Sequence, residues 1–166
     1  ADSYSKTTKS NYINDGKFKI SNKNSEVEWI GKKLSSQHSG LINIKKGYVV
    51  INNNILERGE IIIDMTSIIV TDIEPDKGGL SLANHLKDPD FFNVDLYPNA
   101  RFKIAEFQDL KKVNNKGICY IKGDLTILNI TKPYTIKLKL FPEEDTIRVL
   151  GNIEVDRTDF NITYGS

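Results

Sequence analysis

The sequence predicts an all-β domain, an antiparallel meander of at least seven strands with one short helix inserted. Such a sheet closes on itself as a barrel or folds into a sandwich, which removes its sticky edges. Three observations lead there. Apolar and polar residues alternate with period two, as where Tyr134, Ile136, Leu138 and Leu140 are set against Thr135, Lys137 and Lys139, giving strands one apolar face. Tyr, Phe and Thr are plentiful and isoleucine far outnumbers alanine, a composition that suits a pleated, half-buried surface. Turn residues gather between the runs at Asn52-Asn53-Asn54, Asn114-Asn115 and Pro142-Glu143-Glu144-Asp145, where they favour chain reversal.

In chain order, residues 1–16 are rich in Ser, Thr, Lys and Asn without apolar periodicity and read as a flexible lead. The domain then runs over 17–166, with no internal repeat and no second linker. Val27–Lys33, Leu41–Lys46, Gly47–Ile51 and Gly59–Asp64 are candidate strands, the last a nearly continuous apolar run reaching towards Ile69. The pattern breaks at Gly79–Lys87, where Leu82 and Leu86 stand four apart. That segment reads as a short helix, with Ser81 placed to cap it and Asp88-Pro89 to end it. Alternation resumes over Asn99–Leu110, with Ala100, Phe102 and Ile104 on one face. It continues through Cys119, Ile121, Leu125 and Ile127, then through Ile147, Val149, Ile153 and Val155 around Gly151. A glycine there suits a bend or bulge in a curved sheet.

Composition narrows the function. A net charge of +1 with both signs spread along the chain argues against nucleic acid as the main partner and against purely electrostatic membrane docking. No stretch approaches the ~20 apolar residues of a membrane helix, so stable membrane insertion is not expected. The chain opens on Ala1-Asp2-Ser3 with no signal peptide, which fits a mature exported protein, a trimmed chain or a cytosolic one. The single cysteine, Cys119, permits no intrachain disulfide and no Cys-rich zinc site. His38 and His85 sit in no metal-ligand spacing, and there is no Gly-x-Ser-x-Gly elbow or phosphate loop, so no catalytic residue, metal or cofactor is assigned.

Four blocks carry a family resemblance. Asn84-His85-Leu86, Asp90-Phe91-Phe92-Asn93-Val94, Tyr97-Pro98 and Arg101-Phe102 form the first. Lys122-Gly123-Asp124-Leu125-Thr126-Ile127 through Thr131-Lys132-Pro133 is the second, with Ile63-Asp64-Met65-Thr66-Ser67-Ile68 and Asp156-Arg157-Thr158-Asp159-Phe160 the others. Together they resemble the YceI-like (polyisoprenoid-binding) family, over nearly the whole stretch from about Glu26 to Tyr164. The resemblance implies a lipocalin-like antiparallel β-barrel with a lipid tail inside, in a periplasmic or secreted bacterial protein. Asn129 stands where the family commonly has glycine, and asparagine tolerates the left-handed turn conformation. Family members typically continue through a further segment, so the C-terminal closing strand is expected to be missing and the barrel to have an open seam.

On this resemblance the expected activity is non-enzymatic carriage of a long-chain, isoprenoid-like lipid, in a monomer or homodimer. A ligand-free structural or stress-related barrel and a lipid-modifying enzyme are the alternatives. An elongated apolar cavity is expected, and the candidate lipid contacts are Trp29, Leu86, Phe91, Phe92, Phe102, Ile104, Ile136 and Leu138. Phe91 and Phe92 are either lid or core plug, and Trp29 either pocket wall or floor packing. His38 is read as a turn histidine bonded to backbone, with headgroup or metal contact as the alternatives. Arg157 is read as a paired charge beside Asp156 and Asp159, or as a headgroup contact.

Overall fold

The computed structural model describes residues 13–32, 37–110 and 117–163. Its strands are β1 (Gly16–Ile20), β2 (Glu26–Lys32), β3 (His38–Asn52), β4 (Ile55–Val70), β5 (Asn99–Ile104), β6 (Gln108–Asp109), β7 (Cys119–Ile127), β8 (Ile130–Pro142) and β9 (Thr146–Asp156). One α-helix, α1 (Gly79–Leu86), lies between β4 and β5. β1 and β2 pair with successive parts of β3, and β5 and β6 with successive parts of β4. Each of these couples fills one position, so the nine strands of the described residues make a closed barrel of seven positions.

Neighbours along the meander are antiparallel, but the ring closes through a parallel pair, β2 with β9, from Glu26↔Leu150 to Lys32↔Asp156. An odd number of up-and-down strands leaves first and last running the same way, so this closure follows from the count. The expected open seam is therefore absent along β2. A local gap remains elsewhere: β9 pairs with β8 only over Lys137–Pro142. Beside residues 130–136 of β8 the 3-10 turn Arg157–Phe160 takes the neighbour's place, with Phe160 buried against Tyr134 at 5.8 Å between ring centroids.

Several sequence-based boundaries shift for physical reasons. Leu41–Lys46 and Gly47–Ile51 are one strand, β3. The apparent break is a bulge between Ile44 and Lys46, where Lys45 and Lys46 are both exposed and the alternation slips, adding twist to the sheet. Asn99–Leu110 divides into β5 and β6 around an exposed Phe107. Ser81 lies inside α1; Gly78, at φ 113°, is its N-cap and no side chain caps it. Pairing runs through Gly151 with no register shift. The tight β7–β8 turn places Leu128 as well as Asn129 at positive φ, 54° and 65°.

Most of the expected lead (residues 1–12), Lys33 and the Asn114-Asn115 turn lie outside the described residues. Ile13, from the end of that lead, is buried in the core. Its amide donates to Oδ1 of the buried Asn54 at 3.1 Å, and the Leu110 amide donates to the Asn54 carbonyl at 2.9 Å. This closes the barrel end that carries the β3–β4 hairpin. Inside it, Val49, Ile51, Leu56, Ile121, Ile147 and Val149 are fully buried, so this half of the interior is solid.

Candidate ligand chamber

The other half of the interior holds a cavity of about 70 Å³, walled by β2, β3, β4, β5, β7 and β9 and by the segment from Leu86 to Phe92. The motif Asp64 to Ile68 shapes one wall. Between Asn43↔Asp64 and Leu41↔Ile69, β4 carries more residues than β3. Asp64 Oδ1 accepts from the Thr66 amide at 3.0 Å and from its hydroxyl at 2.6 Å, while Ser67 Oγ accepts from the Asn43 amide at 2.8 Å. The looped-out stretch turns Met65 and Ile68 inwards, where both are buried and line the chamber.

α1 and the turns after it cover this wall. The Phe92 amide donates to Leu86 O at 3.0 Å, and the His85 ring meets Phe91 edge-on at 4.8 Å. α1 packs chiefly on β4 and on the 3-10 turn Pro75–Lys77. Trp29 faces the chamber from β2 and its Nε1 donates to Ile69 O at 3.2 Å. The chamber surface is carbon almost throughout. Lys32 and Arg157 border it, and the Lys32 ammonium lies on Glu154 at 2.8 Å. Buried Arg157 donates from Nη1 to Ile162 O at 3.5 Å.

Of the candidates read from sequence, Trp29, Leu86, Phe91 and Phe92 come together at the chamber. Phe102, Ile104, Ile136 and Leu138 face inwards as their alternation requires and are buried, but they pack in the layers beneath and do not line it. Where an elongated cavity is expected, the one present is small, about 70 Å³. The candidate contacts left out Ile42, Ile63, Ala100, Leu125, Ile127 and Ile153 on the wall, although alternation puts Ala100, Leu125, Ile127 and Ile153 on the apolar faces of their strands. One signal was present: Ala100 is the small member of a face otherwise made of Phe102 and Ile104.

The His38 ring bonds a carboxylate: Nδ1 is 2.9 Å from Asp72 Oδ2, and Asp72 Oδ1 accepts from the Ser39 amide at 3.1 Å. Burial raises the Asp72 pKa, but these hydrogen bonds outweigh it and the carboxyl titrates below its ordinary value. His38 does not line the chamber. His85, Asp88 and Asp90 place one donor atom each within 4.8 Å of one another, a grouping that the sequence reading did not find. His85 Nε2 and Asp90 Oδ2 are already joined at 3.0 Å. Burial pushes the Cys119 thiol up, so it is held as the weakly nucleophilic thiol.

Behind the chamber, Tyr134 donates its hydroxyl to Asp159 Oδ2 at 2.6 Å and accepts from the Asp156 amide at 3.1 Å. Burial, then the bond to Asp159, raises its pKa well above 10. The folded state thus holds this proton more tightly than the unfolded chain, so the network's contribution is complete below about pH 10 and fades as pH climbs past it. Tyr134→Phe should cost about 1–3 kcal/mol at neutral pH. Urea unfolding should show the gap between the two proteins narrowing at about pH 11, and a gap independent of pH would contradict the network.

Fold and chamber define a closed up-and-down β-barrel, solid at one end and hollow at the other under a helical cover. The chain belongs to the YceI-like family, whose domain profile matches residues 18–166. A UPF0312 protein of Yersinia enterocolitica is 29% identical over 119 residues, 67% of this chain and 55% of that protein. Protein YceI of Shigella flexneri is 32% identical over 93 residues, 56% of this chain and 42% of that protein. The matches thus span about half the length of these curated relatives. Among solved structures, BcnA of Burkholderia cenocepacia has the same fold, with a TM-score of 0.56 at 19% identity over 83% of this chain and 80% of that one.

Proposed function

We propose that the protein is an exported, non-enzymatic carrier that holds the hydrocarbon chain of an isoprenoid-like lipid in this chamber. The carrying observation is the carbon-walled cavity itself. An empty cavity of 70 Å³ costs about 1.7 kcal/mol at ~24 cal/mol per Å³, and an apolar guest offsets that cost. A dry cavity of ~150 Å³ takes benzene, so the chamber as it stands accepts only the end of a chain. A longer tail needs Leu86, Phe91 and Phe92 to move outwards, and their segment is anchored mainly through β4. With no polar surface inside, the head stays at the rim and discrimination among heads is weak. A structural barrel without ligand is the competing reading, favoured by the solid lower half.

Trp29 is the only tryptophan and stands in the chamber wall, so its emission reports occupancy. Farnesol should shift that emission saturably, and organic extraction of the purified protein with native mass spectrometry should release a lipid. Ala100→Leu should fill the space and weaken farnesol binding by about tenfold or more, since each lost methylene contact is ~0.8 kcal/mol. The variant should unfold close to wild type. Unsaturable emission in the wild type, or unchanged affinity in a folded Ala100→Leu protein, would count against the carrier.

A further inference from the structure

We infer that Phe102, seated over Gly123 in the layer beneath the chamber's lining, is the stop that acts as its floor and sets the length of chain that the barrel accepts; this rests on the carrier reading. Phe102 is fully buried on β5, on the same face as Ala100 and one pleat deeper. Ala100 lines the chamber, as does Leu125, the cross-strand partner of Phe102, whereas Phe102 itself does not. The cavity therefore stops at the Phe102 layer. The ring can lie there because position 123 has no side chain. A Cβ on Gly123 would stand 2.5 Å from Phe102 Cζ and 2.8 Å from Cε2, inside any tolerable contact distance. Below the ring Ile121, Ile147 and Val149 fill the interior. A tail entering from the α1 end meets this aromatic layer before it meets the solid core.

The test titrates primary n-alcohols from hexanol to hexadecanol into wild type, Phe102→Ala and Phe102→Leu, following Trp29 emission. In the wild type affinity should rise about fourfold per methylene and level off once the chamber is full. In the variants the levelling should move to longer chains, further for alanine than for leucine. The longest chains should bind the alanine variant roughly tenfold or more tighter than wild type, as two further buried methylenes imply. A plateau at the same chain length in wild type and in either folded variant overturns the floor and leaves the carrier standing. Absence of saturable binding by the wild type at every length overturns the carrier, and the floor with it. If Phe102→Ala does not unfold cooperatively, Phe102→Leu, which removes less volume, decides.

Discussion

Gly40→Ala should lower the thermal midpoint by at least about 6 °C or prevent folding altogether. Gly40 sits in β3 between two partners, Trp29 of β2 and Val70 of β4. A Cβ at this position would stand 1.8 Å from the Ile69 carbonyl oxygen and 2.7 Å from Trp29 Cζ2. The first of these is backbone, so no rotamer change relieves it. β4 would have to withdraw by more than an ångström, breaking the Val70 pairing and the hydrogen bond from Trp29 Nε1 to the same oxygen. Overpacking costs ~1–3 kcal/mol where side chains can yield, and here the yielding group is a strand. About 3 kcal/mol or more, at ~2–4 °C per kcal/mol for a domain of this size, gives the stated shift. Differential scanning calorimetry decides, and a midpoint within about 1 °C of wild type would mean that β3 and β4 are not packed as described.

The same region shows how far the sequence could be read. Strict alternation located β5, β7, β8 and β9, because one buried face and one wet face leave a period of two wherever the register is unbroken. It failed at β3, where the bulge after Ile44 exposes two lysines in a row, and at the end of β4, where the looped-out Met65–Ile68 stretch carries no period. Of those irregular residues, Met65 and Ile68 line the chamber. The inward-facing candidates Phe102, Ile104, Ile136 and Leu138 came from regular strands and are core packing, while Leu86, Phe91 and Phe92 at the chamber came from the segment where the pattern stopped. Alternation reports which face is buried; it carries no depth along the barrel axis, so it could not separate chamber from plug. The parallel closure was likewise hidden, since it depends on a pairing between the two ends of the meander.

Phe160→Ala should cost about 3–5 kcal/mol, or ~6–20 °C in thermal midpoint. β8 lacks β9 as a neighbour beside residues 130–136, and an unpaired strand edge next to a core admits water unless something covers it. The chain covers it by turning back after β9. Asp156 Oδ1 accepts from the Thr158 amide at 3.0 Å and its hydroxyl at 2.6 Å, starting the 3-10 turn. Asn161, at φ 59°, ends it. The turn delivers Phe160, 1% exposed, onto Tyr134, whose hydroxyl is held by the preceding residue, Asp159. Truncation to alanine would remove the ring from the gap, and because β8 is fixed through its pairing with β7, the walls cannot close on the void. Phe107, 77% exposed on a loop, provides the control: Phe107→Ala should stay within about 0.5 kcal/mol of wild type. The Phe160 variant should also bind more of a hydrophobic dye through the opened gap. Equal midpoints for the two alanine variants would show that the turn decorates the barrel and does not seal it.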